Sequence, residues 1–98
     1  MGCVKLNKHD QYTQELCHKL REDYDSISTN ILIKKKKRAL AEIDIAAKKG
    51  NSFDIYEVKC SYRITKARKQ AKAIRKYFPS LINNIYFYCG ATASLILL

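Results

Sequence analysis

The chain has 98 residues, and its nineteen Lys and Arg against nine Asp and Glu give a formal net charge of +10. That length suits one domain around one modest core, and that charge favours a polyanionic partner, nucleic acid first, without bearing on the fold. No apolar run approaches the ~20 residues of a membrane span, no cysteine pair has the CxxC spacing of a zinc or redox site, and no signal peptide points to export.

The cysteines at 3, 17, 60 and 89 are therefore expected to be reduced thiols in a cytoplasmic protein with no membrane partner. Cys17 and Cys89 are expected in the core. From Asp10 to Tyr24 the spacing is helical: Leu16, Cys17, Leu20 and Tyr24 form a stripe that Thr13 continues upward, and Asp10 is the expected N-cap. His9 and His18 have no partner at metal-ligand spacing and read as surface residues. The segment "SISTNILI" (26–33) is rich in β-branched residues and reads as a strand, with Ile27, Thr29 and Ile31 at period two. A basic run, Lys34 to Lys37 with Arg38, bridges to the next strand, "RALAEIDIAA". There Ala41, Ile43 and Ile45 form the clearer apolar face, opposite Glu42 and Asp44.

"KKGNS" is a hairpin turn. The third strand, "FDIYEVKC", carries Phe53, Ile55, Glu57 and Lys59 on one side and Tyr56 and Val58 on the other. Thr65 is the expected cap of a second helix whose stripe is Ala67, Gln70, Ala71, Ile74, Tyr77 and Phe78; Pro79 ends it. "NNIYFYCG" reads as an interior strand, apolar on both faces. "ASLILL" at the C-terminus is either a docked strand or a dimer contact. The order αβββαβ implies an α/β fold, a mixed central sheet flanked by helices.

Chemistry concentrates on the hairpin. Asp44 lies on one strand, and Glu57 and Lys59 share a face of the next. If Asp44 projects to that face, two carboxylates and one ammonium meet. Two hard oxygen ligands suit Mg²⁺, with Mn²⁺ as substitute. Such an ion activates water for attack on a phosphodiester, and a lysine orients the nucleophile or stabilises developing negative charge.

On "EIDIAA", "YEVKC" and the element order, the chain resembles the PD-(D/E)XK nuclease superfamily, from about Tyr12 to Gly90. In look it is nearest to small archaeal Holliday-junction resolvases within that superfamily. The resemblance implies a restriction-endonuclease-like αβββαβ core. It implies Asp44 and Glu57 as metal ligands, the Val58 carbonyl as a third, and Lys59 as the catalytic lysine. It also implies Glu15 on the first helix as an acid near the metal, and Gln70 on the second helix as a residue aimed at the site. The chain departs from the family in carrying Ile43, not proline, before Asp44.

Glu42 has two readings, an extra acid of the site or an exposed strand residue, and the second is preferred. Asp54 reads as a residue that starts its strand. Lys34, Lys35, Lys36, Lys37 and Arg38 are either a solvated hairpin tip or a loop that touches phosphates. Arg63, Lys66 and Lys69 belong to a second basic surface around the second helix. The expectation is a metal-dependent DNA endonuclease acting on double-stranded or branched DNA as a homodimer. The rival readings are a nuclease fold without turnover and a basic protein that coats nucleic acid.

Overall fold

In the computed structural model, residues 7–98 are described; Cys3 lies outside them. Asn7, not Asp10, caps the first helix, α1 (Lys8–Leu20): the Asp10 backbone N–H donates to Asn7 Oδ1 at 2.8 Å. The capping oxygen satisfies one of the free N–H groups of the first turn. The helix stops at Leu20, before Tyr24. Carrying it on would place Glu22 and Asp23 at the negative end of the helix dipole.

Three antiparallel strands follow, β1 (Ser26–Lys35), β2 (Arg38–Lys49) and β3 (Ser52–Lys59). The first is longer than expected and takes in Lys34 and Lys35. Gly50, with φ of +62°, makes the β2–β3 turn, and its N–H donates to Asp25 Oδ2 at 2.8 Å. The second helix, α2 (Ile64–Tyr77), begins one residue before Thr65, and Arg63 at its N-cap provides no side-chain cap. It carries the chain across to β4 (Ile82–Cys89), which pairs parallel with β3. A parallel pair needs such a crossover. The C-terminal segment is a docked strand, β5 (Ser94–Leu97), antiparallel to β4. The result is an α/β structure with a five-stranded mixed sheet in the order β1-β2-β3-β4-β5.

Each face of the sheet carries one helix. Leu16 and Leu20 of α1 pack on Ile45, Tyr56, Val58 and Tyr88. Ala71 and Ile74 of α2 pack on Ile43, Ile55 and Ile85 on the other face. β4 is buried on both faces, as its composition implies: Tyr88 faces α1, while Phe87 and Cys89 meet Ala67 of α2. Each of these large apolar side chains contributes roughly 1.5–3 kcal/mol by leaving water. Cys17 is only half-buried at the edge of the α1 cluster, whereas Cys89 is buried. α1 also clasps the end of β4, since a Cβ on Gly90 would overlap the Tyr12 ring. Among the described residues no helix is long and apolar enough to cross a membrane.

Candidate active site

The expected alternation along β2 breaks at one position, and that break builds the site. Ile43 packs on the α2 side and Ile45 on the α1 side, although they are two residues apart. Ile27 and Ile31 of β1 divide in the same way. Between them Asn30 has φ of +54°, a left-handed conformation that asparagine tolerates. The flanking pairs Thr29↔Ile45 and Ile31↔Ile43 set Asn30 opposite Asp44. A local irregularity of this kind re-aims a side chain.

The β2–β3 pairing runs from Lys49↔Ser52 to Ile45↔Tyr56 and goes no further. One more step in that register would set Asp44 against Glu57. Instead the strands part, and the Val58 N–H donates to Asp44 Oδ2 at 2.9 Å. Asp44 thus takes over a rung of the ladder with its side chain. It is 6% exposed, and Glu57 is wholly buried at 0%.

Glu57 shares the α2 side with Ile55, two residues earlier on β3. Neither of its carboxyl oxygens has a hydrogen-bond partner among the described residues, and neither does the buried Oε1 of Gln70. Gln70 lies between Ala67 and Ala71, both packed on the sheet. Burial pushes the Glu57 carboxyl up to about 8, and the negative charge of Asp44 adds to this; Lys59 pulls the other way. A proton on Glu57 would be shared with Asp44, which raises it further. Lys59 is half-buried. Asp44, Glu57 and Lys59 are thus brought to one end of the split hairpin, and Gln70 belongs to the helix packed on the Glu57 side of the sheet.

Glu15 and His9 sit differently from expectation, and Glu42 takes the preferred of its two readings. Glu15 is exposed and makes no hydrogen bond or ion pair among the described residues. It points some 200° around the helix from the buried Thr13, at 100° per residue, so α1 does not carry it to the acids. Glu42 is exposed, as preferred, while Asp44, expected on the same face, is buried; the charge of Glu42 still adds a little to the push on Glu57. The Val58 carbonyl is already occupied: His9 Nε2–H donates to it at 2.9 Å and lies 3.6 Å from Asp44 Oδ2. His9 is therefore part of the site and not a surface residue. Its signal was present in the stripe. Leu20, Leu16 and Thr13 continue by one more turn to residue 9.

The donor set fits a hard divalent cation. Two buried carboxylates converge, that of Glu57 has no hydrogen-bond partner among the described residues, and their mutual repulsion favours a positive charge between them. No group of three or more His, Cys, Asp and Glu side chains that could hold a metal is present among the described residues. A cation here would rest on Asp44 and Glu57, with the Val58 carbonyl available once His9 releases it.

Lys34 to Arg38 and Arg63, Lys66 and Lys69 are all exposed. Asp54, by contrast, has a structural role. Its Oδ2 accepts from the Tyr24 hydroxyl at 2.6 Å and its Oδ1 from the Asn84 N–H at 3.1 Å. No protein-family model matches the chain, and no curated protein matches it.

Proposed function

We propose that the chain is a metal-dependent DNA endonuclease of the PD-(D/E)XK superfamily, with Asp44, Glu57 and Lys59 as its catalytic set. The observation that carries this reading is the buried, unpartnered carboxylate of Glu57 beside Asp44 at the split of β2 and β3. Buried polar groups are ordinarily satisfied, and an unmatched acid held against a second acid is a poor structural choice. The element order also supports it: α1, β1, β2, β3, α2 and β4 follow the αβββαβ core of that superfamily, with β5 added at the edge.

Asp44 and Glu57 would hold Mg²⁺, or Mn²⁺ in its place, and the bound ion would supply a charge that acidifies water and screens the reacting phosphate. Asp44 is kept in position by the Val58 N–H. Lys59 stands two residues from Glu57 on the same face, where its ammonium can stabilise charge developing on the phosphate or orient the attacking water. Gln70 presents its amide from α2 toward the same side. Double-stranded or branched DNA is the substrate, cut by a two-fold homodimer of this intracellular protein. The exposed Leu95 and Leu97 of β5 would give such a dimer an apolar edge to cover.

One observation favours a second reading, a basic protein that coats nucleic acid without cutting it. Among the described residues no Lys or Arg lies within 4.0 Å of an Asp or Glu carboxylate. Incubation with supercoiled plasmid and with a four-way junction separates the two. Cutting in Mg²⁺ or Mn²⁺, absent in EDTA and lost in Asp44→Ala and Lys59→Ala, is the result expected of the nuclease. Cutting that survives either substitution would remove the proposed mechanism, and binding without cutting in any metal would favour the coat.

A further inference from the structure

We propose that the nucleic-acid backbone is held on the α2 layer alone, in two basic grooves at the two ends of α2, with the carboxylate site beneath the stretch between them. This rests on the nuclease reading for the substrate class, but it is argued from charge placement. Between Arg63 and Tyr77 the chain has seven Lys and Arg and no acid. Between Asn7 and Asp25, the α1 layer, it has five acids against three Lys and Arg. A polyanion therefore meets attraction on one face of the sheet and repulsion on the other.

The first groove, about 660 Å³, opens at the start of α2, where Arg63, Lys66 and Lys69 surround the exposed Tyr62. The second, about 830 Å³, lies where the β1–β2 tip meets the end of α2. There Lys35, Lys36, Lys37 and Arg38 come against Lys76 and Tyr77, from elements 38 residues apart (76 − 38). Of the two readings of the basic run, this groove supports the loop that touches phosphates. It is not a free tip in solvent but one wall of a groove whose other wall is also cationic. No carboxylate lines either groove. Like charges gathered from distant parts of the chain repel one another, and a bound anion relieves that repulsion.

The two grooves belong to one track. At 100° per residue, Lys66, Lys69, Lys76 and Tyr77 fall within an arc of about 100° on α2, and Gln70 borders it. Lys66 and Lys76 are separated by about 15 Å of helix, or about four to five nucleotide steps at 3.4 Å each. A strand seated in both grooves passes Gln70, whose buried Oε1 has no partner among the described residues, on the helix that covers the Glu57 side of the sheet. The grooves thus fix the direction in which the backbone crosses the acids.

Binding of a labelled 16-base-pair duplex, followed by fluorescence anisotropy across a salt series in EDTA, tests this. Lys36→Ala/Lys37→Ala and Lys66→Ala/Lys69→Ala should each flatten the slope of log K against log salt by about two, since each phosphate contact is worth about 0.9. Lys19→Ala/Arg21→Ala on α1 should leave it unchanged. An 8-base-pair duplex should bind one to one. All six residues are exposed, so unchanged melting temperatures are expected of every variant. Equal losses from the α1 pair, no loss from either α2-layer pair, or two short duplexes bound per protein would each overturn the track. Plasmid cutting is scored separately. Cutting with unmoved slopes defeats the track and keeps the nuclease; moved slopes without cutting do the reverse.

Discussion

β3 carries two acids three residues apart, Asp54 and Glu57, in opposite circumstances. Asp54, near the Gly50 turn, has each oxygen matched: the Tyr24 hydroxyl on one and the Asn84 N–H on the other. Since Tyr24 gives its proton to Asp54, the Tyr56 hydroxyl must donate to Tyr24, at 2.6 Å. Tyr56 then stacks on Tyr86 with ring centroids 4.8 Å apart. Burial, and the hydrogen bond to Asp54 after it, push the Tyr24 hydroxyl above the ordinary tyrosine range. This is a closed network that joins α1's exit to the sheet. Glu57, at the other end of the strand, is more deeply buried, and beyond a proton it can share with Asp44 its oxygens have no partner among the described residues. The difference teaches how to separate a structural acid from a functional one. Asp54 has each oxygen answered within the chain, whereas on the nuclease reading Glu57 awaits a partner from outside.

The largest effect should come from the functional end. Glu57→Gln and Asp44→Asn are expected to lower plasmid cutting at least ~100-fold, the loss typical of removing one electrostatic contributor, while Asp54→Asn leaves cutting within twofold. A nicking assay checks all three, and equal losses at 54 and 57 would erase the contrast.

Next comes pH. The folded protein holds the Glu57 proton up to about 8, against an ordinary value of 4.5. Between those values the folded state binds a proton that the unfolded state has released, so metal-free stability falls as pH rises through this window. The full loss would be at most ~5 kcal/mol. Glu57→Gln should flatten the dependence, and Mg²⁺ at pH 8 should raise the melting temperature of the wild type but not of this variant. Thermal melts from pH 4 to 9 measure both.

At the structural end, Tyr24→Phe should destabilise by about 1–3 kcal/mol, because it leaves Asp54 short of a donor. Cutting by the folded fraction should not change. The smallest effect belongs to His9→Ala, which frees the Val58 carbonyl at a cost of about 1 kcal/mol. Urea denaturation reads both values, and a loss at His9 larger than that at Tyr24 would invert the order.

Much of this arrangement was legible in the chain. The element order, the Gly50 turn and the shared face of Ile55 and Glu57 all follow from period-two and helical spacing, because each is a local property. What the spacing misjudged was continuity. Ile27, Thr29 and Ile31 read as one face, as did Ala41, Ile43 and Ile45, yet Asn30 in a left-handed conformation turns the row over at Asp44. Nothing in the sequence flags that asparagine. Asparagine tolerates the left-handed region without requiring it, so period-two spacing carries no signal of where it is adopted. His9 was missed for another reason. Metal-ligand spacing compares residues along the chain, and its partners, Val58 and Asp44, are 49 and 35 residues away. Glu15 was expected near the acids by resemblance, but helical phase puts it on the opposite side of α1.

The carboxylate of Asp44 substitutes for a strand at the Val58 N–H, so on the nuclease reading the residue would answer to two kinds of selection at once. Alanine there would orphan a buried backbone donor, costing roughly 1–3 kcal/mol, whereas asparagine could still accept that hydrogen bond while giving up its charge. A lineage of this protein released from cutting would therefore accept Asp44→Asn before Asp44→Ala. Glu57, whose oxygens have no partner among the described residues beyond a proton shared with Asp44, would on that reading be the freer of the two to change. The order in which the two acids are lost would record when the activity was.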